Sequence, residues 1–231
     1  MNDIVYFLRE GKNQELIYSL RSVEQNFPYK RVIFYGGKPT GLTPDRHVSV
    51  NQDQPTKWQN VQKMMKTACQ DDEITPNFWL FNDDFFVMRK QKEPKNYYDG
   101  TLQQRIAQIE KVVFGQQTQY TRQLRELREY LKHIDPEHEP LNYATYMPML
   151  INRKKMLKII EQNPDQPMLR ALYGNLERIS AENHPDVKFV QRRQPFPVED
   201  YASTTDESFR YEIIGTIIRD RFKKPTRFEN G

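Results

Sequence analysis

The sequence predicts an α/β fold with a mixed, largely parallel sheet and a helical insertion. Apolar segments of strand length alternate with amphipathic segments of helix length over the first third of the chain, which is the pattern of β-α-β units. A chain of 231 residues that is 37% hydrophobic can bury one sizeable core. A long helical pattern then interrupts the alternation at about residues 101–133. We therefore expect a single domain over residues 1–231, with the helical segment as an insertion.

The first third of the chain carries the clearest patterns. Residues 3–8 (DIVYFL) are apolar and short enough for a buried strand, and residues 13–26 place leucines and a valine on one helical face. Residues 31–35 (RVIFY) predict a second strand that ends at two consecutive glycines. The predicted elements, in order, are strand 3–8, helix 13–26, strand 31–35, strand 47–50, helix 57–70 and strand 78–81.

Three polar residues, Asn82, Asp83 and Asp84, lie between the apolar runs FWLF and FFVM. They follow the carboxyl end of a predicted buried strand, which is where open α/β sheets bind ligands. Two adjacent carboxylates in a turn can bind Mg²⁺ or Mn²⁺, which then bridges the protein to substrate phosphates. Asn and Asp are also common in turns for local reasons, so a purely structural turn is the alternative. We call residues Asn82–Asp84 the acidic turn.

The segment 101–133 predicts a helix with a break at Gly115. Spacings of three and four residues place several cations on one face, which we call the basic ridge. The ridge predicts either a solvated face or a surface for an anionic acceptor. Its residues are Arg122, Arg125, Arg128 and Lys132, and other basic residues occur at Lys188, Arg192, Arg193 and between 219 and 227. The later elements predicted are helices 153–162 and 167–173, strands 187–190 and 201–203, and a helix over 207–222.

Composition limits the classes of function. The chain holds one cysteine, Cys69, which excludes an internal disulfide framework and a cysteine-based zinc site. No apolar run approaches eighteen residues and the first residues lack a signal-peptide pattern, so we expect no membrane span and a cytoplasmic location. A net charge of +4 and a pI near 9.0 favour an anionic partner.

Several segments resemble the conserved regions of the Stealth proteins, the sugar-phosphate transferases of bacterial capsule synthesis and lysosomal-enzyme tagging. The resemblance covers most of the chain outside about residues 90–140 and is greatest to small phage-type glycosyltransferases. The segments of the first two regions are DIVYFLREG (3–11), QELIYSLRSVEQNFP (14–28), RVIFYGG (31–37), KWQN (57–60) and FWLFNDDFF (78–86). Weaker matches to the third and fourth regions are YMPMLINRKKM (146–156), RALYGN (170–175) and STTDESF (203–209).

The resemblance implies a fold of the nucleotide-sugar glycosyltransferase type and several site residues. It assigns Asp83 and Asp84 to a metal ion and the donor phosphates, with Asp84 as the main ligand. It assigns Arg170 to a phosphate or the developing anion, and Asp206 to the site as a second acidic group. A surface ion pair for Arg170 and a helix N-cap for Asp206 are the alternatives.

Three residues are candidates for the donor site because their helices follow early strands of the sheet. They are Arg21, Lys57 and Asn60. A solvated helix face is the alternative for Arg21.

Tyr146 stands where the Stealth pattern has a histidine, two residues before the proline of its third region. This departure favours plain glycosyl transfer over sugar-phosphate transfer. The predicted function is thus a cation-dependent glycosyltransferase that moves a sugar from a nucleoside-diphosphate donor to hydroxylated DNA bases or an anionic glycan. A Stealth-like sugar-1-phosphate transferase is the first alternative, and a noncatalytic nucleic-acid or glycan binding protein is the second.

Overall fold

The computed structural model describes residues 1–112, 114, 117–189 and 200–229. The strands in this part of the chain are β1 (Asp3–Leu8), β2 (Val32–Gly36), β3 (Arg46–Ser49), β4 (Asn77–Phe81), β5 (Phe85–Val87), β6 (Asn96–Tyr98), β7 (Met149–Asn152), β8 (Ala181–Asn183), β9 (Lys188–Phe189) and β10 (Tyr201–Thr204). The helices are α1 (Gln14–Asn26), α2 (Lys57–Gln70), α3 (Leu102–Val112), α4 (Gln119–Ile134), α5 (Arg153–Gln162), α6 (Leu169–Leu176), α7 (Asp206–Tyr211) and α8 (Ile213–Arg221).

A five-stranded sheet forms the centre of the molecule, in the order β3-β2-β1-β4-β7. The strands β1, β2, β3 and β4 run parallel, and β7 pairs with β4 in the antiparallel direction. This confirms the predicted α/β fold with a mixed, largely parallel sheet. The carboxyl ends of the four parallel strands lie at one edge, and α1 and α2 begin there.

Side chains alternate between the two faces of this sheet, as the pleat of a strand requires. Val5 and Leu80 belong to the core that packs under α2 and the helices after residue 100. Tyr6 and Phe81 belong to a second core that packs under α1 and against Phe228. Both faces are therefore covered, which explains why the predicted strands are apolar without interruption.

Two glycines bring the carboxyl ends of β1 and β2 close together. Gly36 has a φ of +105°, and a Cβ there would lie 2.4 Å from the carbonyl oxygen of Leu8. A Cβ on Gly37 would lie 2.2 Å from the backbone nitrogen of Glu10. Residues with side chains would push the two strand ends apart at the edge where the acidic turn lies.

A second sheet brings a distant segment to the acidic turn. Its strand order is β5-β10-β9, with β10 antiparallel to β5 and parallel to β9. Since β5 directly follows the acidic turn, β10 and β9 are placed beside that turn. A smaller sheet pairs β6 with β8.

Several predicted boundaries need correction. The helical segment predicted over 101–133, with a break at Gly115, comprises α3 and α4; Gly115 itself lies outside the described residues, so the position of the break stays a prediction. The predicted helix over 207–222 is interrupted at Glu212, which separates α7 from α8. The strand predicted at 187–190 is described only as β9, because Val190 lies outside the described residues. No helix in the described part of the chain is both long and apolar enough to cross a membrane.

Candidate active site

The acidic turn is held against the N-terminal end of α1. The side-chain amide of Asn13 donates to Oδ2 of Asp83 at 2.6 Å. The side-chain oxygen of Asn13 accepts from the backbone nitrogen of Leu16 at 2.9 Å and caps the helix. Because β1 and β4 are neighbouring parallel strands, the helix after β1 begins beside the turn after β4. One asparagine therefore both starts α1 and positions Asp83.

Asp84 is paired with a lysine from a distant part of the chain. Nζ of Lys188 lies 2.5 Å from Oδ2 of Asp84 and also donates to the carbonyl oxygen of Thr204. Oδ1 of Asp84 is buried and has no hydrogen-bond partner among the described residues. Burial raises the pKa of Asp84; the Lys188 ammonium opposes this rise, and the charge of Asp83 adds to it. Asp84 is thus a desolvated carboxyl group whose main counter-charge is Lys188.

Tyr146 covers the ammonium group of Lys188. Nζ of Lys188 lies 4.1 Å from the centre of the Tyr146 ring, within the range of a cation–π contact. The backbone nitrogen of Tyr146 donates to Oδ1 of Asp186 at 3.0 Å. Burial raises the pKa of the Tyr146 phenol, and the charges of Asp84 and Asp186 raise it further. Tyr146 therefore lies beside Lys188 as a neutral ring.

Arg170 lies in the same cluster. Its guanidinium donates to the carbonyl oxygen of Met147, and its Nε is buried without a partner among the described residues. Burial lowers the pKa of Arg170 to about 10, while the charges of Asp186 and Asp84 oppose that change. Arg170 therefore stays protonated near neutral pH and keeps a second positive charge near Asp84.

Glu15 is a member of the cluster that the sequence analysis missed. Its side chain is buried, and the hydroxyl of Thr204 donates to its Oε1 at 2.5 Å. Burial raises the pKa of Glu15 to about 8; Thr204 opposes this rise, and Asp206 adds to it. The signal in the sequence was the spacing of Glu15, Ser19 and Ser22, which places three polar residues on one face of the predicted helix. In the structure that face of α1 is buried.

Asp206 is the first residue of α7 rather than its cap. Thr205 is the N-cap, and its hydroxyl oxygen accepts from the backbone nitrogen of Ser208 at 3.1 Å. The interpretation of Asp206 as an N-cap is therefore wrong by one residue. The Asp206 side chain is exposed and interacts with Glu15, whose pKa it raises. Asp206 thus lies at the same edge as the acidic turn.

Two of the three residues predicted for donor binding, Arg21 and Asn60, make contacts with other parts of the protein, and the third, Lys57, is exposed. Nε and Nη2 of Arg21 donate to the carboxylate of Glu229 at 2.8 and 2.6 Å. Oδ1 of Asn60 accepts from the backbone nitrogen of Gln54 at 3.0 Å and so holds the loop before α2. Lys57 is exposed at the first residue of α2. Their role in donor binding stays a prediction.

In this arrangement each carboxylate of the acidic turn has one oxygen engaged by another side chain. Oδ2 of Asp83 faces the amide of Asn13, and Oδ2 of Asp84 faces the ammonium of Lys188. Over the residues that the structure describes, no group of three or more His, Cys, Asp or Glu side chains could hold a metal ion. Oδ1 of Asp84 has no hydrogen-bond partner among the described residues, so Mg²⁺ or Mn²⁺ at the turn would take that oxygen and share the carboxylate with Lys188, or displace Lys188 from Oδ2. The dependence on a divalent cation stays a prediction.

The basic ridge is partly neutralised by acidic neighbours. The guanidinium of Arg128 donates to the carboxylate of Glu139 at 2.7 and 3.0 Å, and Lys132 lies 3.8 Å from the same group. Arg125 forms an ion pair with Glu110, whereas Arg122 is exposed. Arg192 and Arg193 lie outside the described residues. The ridge therefore presents less positive charge than its sequence indicates.

A cavity of about 680 Å³ opens between α4 and the C-terminal end of α6. Leu131, Tyr143 and Arg178 are among the residues that line it, and none of the predicted site residues does. The charged cluster at the acidic turn, and not this cavity, is therefore the candidate active site.

No protein family model matches the chain, and no curated protein matches it significantly. The resemblance to Stealth proteins therefore has no support from a family model. Among solved structures, galactosyltransferase LgtC in complex with donor and acceptor sugar analogues is 14% identical, with a TM-score of 0.38 over 75% of this chain and 70% of that chain. An active-site variant of LgtC is 12% identical, with a TM-score of 0.47 over 97% of this chain and 98% of that chain.

The glycosyltransferase GlyE of Streptococcus pneumoniae TIGR4 is 8% identical, with a TM-score of 0.36 over 96% of this chain and 49% of that chain. Identities and TM-scores in this range assign neither a family nor an activity to the chain. The assignment of function therefore depends on the residues of the site.

Proposed function

We propose that the chain is a glycosyltransferase that moves a sugar from a nucleoside-diphosphate donor to an acceptor hydroxyl group. The observation that supports this proposal is the convergence of carboxylates and cations at the carboxyl edge of a parallel sheet, where such sheets bind ligands. A departing diphosphate needs positive charge, and an acceptor hydroxyl needs a base. The cluster provides both kinds of group: the carboxyl groups of Glu15, Asp83, Asp84 and Asp206, and the cations Arg170 and Lys188.

In the proposed reaction the acceptor oxygen attacks the anomeric carbon of the donor sugar. The bond between that carbon and the diphosphate oxygen breaks, and the acceptor proton passes to a base. Asp206 is the candidate base because its exposed carboxylate is accessible to an acceptor. Arg170 is the candidate phosphate ligand because its planar fork matches phosphate oxygens. Asp83 and Asp84 organise the positive charge that faces the diphosphate.

Two sources of that positive charge are distinguishable. The sequence predicts Mg²⁺ or Mn²⁺ bound by Asp83 and Asp84, and such an ion would neutralise charge on the departing phosphate. The structure places the ammonium of Lys188 on Asp84. The first source adds a divalent ion to the turn beside or in place of Lys188, and the second needs no added ion.

Sugar-1-phosphate transfer is the alternative reaction, in which the acceptor attacks the β-phosphorus instead of the anomeric carbon. Tyr146 stands where the Stealth pattern has a histidine, and this departure in the sequence favours glycosyl transfer. An isotope label in the non-bridging oxygens of the β-phosphate distinguishes the reactions. Only sugar-phosphate transfer carries the label into the product.

The proposed function is tested with a panel of nucleotide sugars, with and without Mn²⁺, by donor hydrolysis and by the shift in melting temperature. We expect Asp84→Asn to lower turnover roughly a hundredfold, because the charge arrangement around the phosphates depends on it. The control is Asp72→Asn, whose carboxylate is 96% exposed at the opposite edge of the sheet. If no donor is hydrolysed or stabilises the protein, the noncatalytic binding protein becomes the better explanation.

For the acceptor we propose hydroxylated DNA bases or an anionic glycan, on the basis of the net positive charge. The pairing of Arg125, Arg128 and Lys132 limits how much the ridge can contribute, and Arg122 is its exposed member. The measurement is the mass of nucleosides digested from hydroxymethylated DNA after incubation with the enzyme, a donor and Mn²⁺. An unchanged nucleoside profile would remove DNA from the proposal.

A further inference from the structure

We infer that Lys188 is the resident cation of the candidate active site: it takes the position on Asp84 that the sequence assigns to a divalent metal, and it binds the donor diphosphate directly. The nature of the ligand rests on the proposed function. The position of the charge rests on the contacts of Lys188 alone.

Lys188 is enclosed on several sides by groups suited to an ammonium ion. Oδ2 of Asp84 lies 2.5 Å from Nζ, the carbonyl oxygen of Thr204 accepts from Nζ, and the ring of Tyr146 lies 4.1 Å away. These are an anionic oxygen, a neutral oxygen and an aromatic face, the three kinds of group that stabilise a desolvated cation. The surroundings of Lys188 are therefore those of a bound cation rather than of a solvated surface lysine.

Displacing Lys188 would be costly. The side chains of Lys188 and Asp84 are only 12% and 20% exposed, and removing one partner of a buried pair leaves the other charge uncompensated. A divalent ion on Asp84 would also repel an ammonium group that remained nearby. A metal at the acidic turn would thus either displace Lys188 from Oδ2 of Asp84 or bind the partnerless Oδ1 against the repulsion of the nearby ammonium.

The same position suits a phosphate group. A lysine ammonium is a compact charge on a flexible stem and is a common phosphate ligand in proteins. Arg170, which also interacts with Asp84, places a second cation in the same cluster. A diphosphate at this edge would meet both cations without any metal ion.

Manganese binding to the protein alone tests this inference, and electron paramagnetic resonance of free Mn²⁺ measures it. We expect the wild-type chain to bind no more Mn²⁺ than the Asp84→Asn variant does. We expect Lys188→Met to gain one equivalent of bound Mn²⁺, because Asp84 then lacks its counter-charge. Lys188→Met combined with Asp84→Asn should lose that equivalent. A wild-type site that depends on Asp84 and binds Mn²⁺ as tightly as Lys188→Met would overturn the inference.

Calorimetry with metal-free inorganic pyrophosphate tests the phosphate contact. We expect Lys188→Met to weaken binding roughly tenfold to a hundredfold, as for the loss of a charged hydrogen bond, and Lys188→Arg to retain most of it. The matched control is Lys155→Met. Lys155 lies on α5 and its Nζ is 2.6 Å from Oε2 of Glu177, so this variant also removes an ion-paired lysine but should leave pyrophosphate binding unchanged. Equal affinity of Lys188→Met and the wild type would contradict the inference. If Lys188→Met does not fold, the manganese titration of the wild type against Asp84→Asn decides.

The outcomes separate this inference from the proposed function. A chain that binds metal-free pyrophosphate through Lys188 but uses no nucleotide sugar would refute the proposed function and leave the role of Lys188 standing. A transferase that loses all activity with a chelator, and recovers it with Mn²⁺ bound at Asp84, would leave the proposed function standing and refute the role of Lys188.

Discussion

At the scale of single residues, the titration of Glu15 links the site to stability. Its pKa is raised by burial from an ordinary 4.5 to about 8. Between these values the folded chain keeps a proton that the unfolded chain has released, so stability falls as the pH rises from about 4.5 to about 8. Glu15→Gln imitates the protonated form and removes this loss. We expect its melting temperature to exceed that of the wild type by roughly 2–4 °C at about pH 8, allowing for solvent screening, and to match it near pH 5.

Thermal melts of both proteins at the two pH values check this prediction. The control is Glu161→Gln, on the exposed face of α5, which should give no such pH-dependent difference. A difference in melting temperature that is the same at both pH values would show that Glu15 titrates normally in the folded chain.

Some residues of the site could be predicted from the sequence and others could not. Asp83 and Asp84 stand out because polar residues interrupt two apolar runs, and Arg170 and Asp206 came from the family resemblance. Glu15 was not predicted, and Lys188 was predicted only as one of the basic residues for an anionic acceptor, because their surroundings are set by distant contacts. Glu15 meets Thr204 across 189 residues of sequence, and Lys188 meets Asp84 across 104.

At the scale of elements, the N-terminal end of α1 makes one contact that caps the helix and another with the acidic turn. Asn13 caps the helix through its oxygen and holds Asp83 through its nitrogen. We expect Asn13→Ala to lower the free energy of unfolding by about 1 kcal/mol and also to lower donor turnover. Asn13→Ser keeps a capping oxygen but lacks the amide donor, so turnover should fall with little loss of stability. Urea unfolding and donor hydrolysis measure the two effects.

The capping asparagine of α5 supplies a control for this prediction. Asn152 accepts from the backbone nitrogen of Lys155 at 3.1 Å and pairs with Asn77 at the start of β4, the opposite edge of the sheet from the acidic turn. Asn152→Ala should cost about 1 kcal/mol of stability and leave turnover unchanged. If both cap variants lower turnover equally, the contact between Asn13 and Asp83 has no specific role.

The predicted helices and strands agree best with the structure where the local sequence alone determines them. The predicted bounds of β1, α2 and α5 agree with the structure because their apolar periodicity is continuous. The strands β6, β7 and β8 were not predicted, since each has four residues or fewer and forms through pairing with a distant partner. The antiparallel strand β7 was therefore absent from the predicted sheet, although the prediction of a mixed sheet was correct.

At the scale of the whole molecule, residues near position 228 attach to the first part of the chain. Phe228 is fully buried in the core under α1, and its carbonyl oxygen accepts from the backbone nitrogen of Thr43 at 2.7 Å. The carboxylate of Glu229 pairs with Arg21, and Arg227 pairs with Asp45. The single domain over residues 1–231 stays a prediction, and these contacts supply a test of it.

We expect Phe228→Ala to lower the free energy of unfolding by about 3–5 kcal/mol, because it removes a large buried ring. If the chain is one cooperative unit, tryptophan fluorescence and far-ultraviolet circular dichroism should report the same shifted midpoint of unfolding. Phe114→Ala is the control, since that side chain is 96% exposed. Separate midpoints for the two signals would indicate more than one domain.

Phe228 is synthesised long after the strands that it covers, and this order affects folding during translation. The strands that it covers leave the ribosome first, while their covering residue is still to be made. The pairs Arg227–Asp45 and Arg21–Glu229 are 182 and 208 residues apart. At about 5–20 residues per second, the first β-α-β unit waits roughly 10–40 s for them. Throughout that interval its apolar face is open to other nascent chains, so the yield of folded protein in a cell should depend on how well that face is shielded during translation.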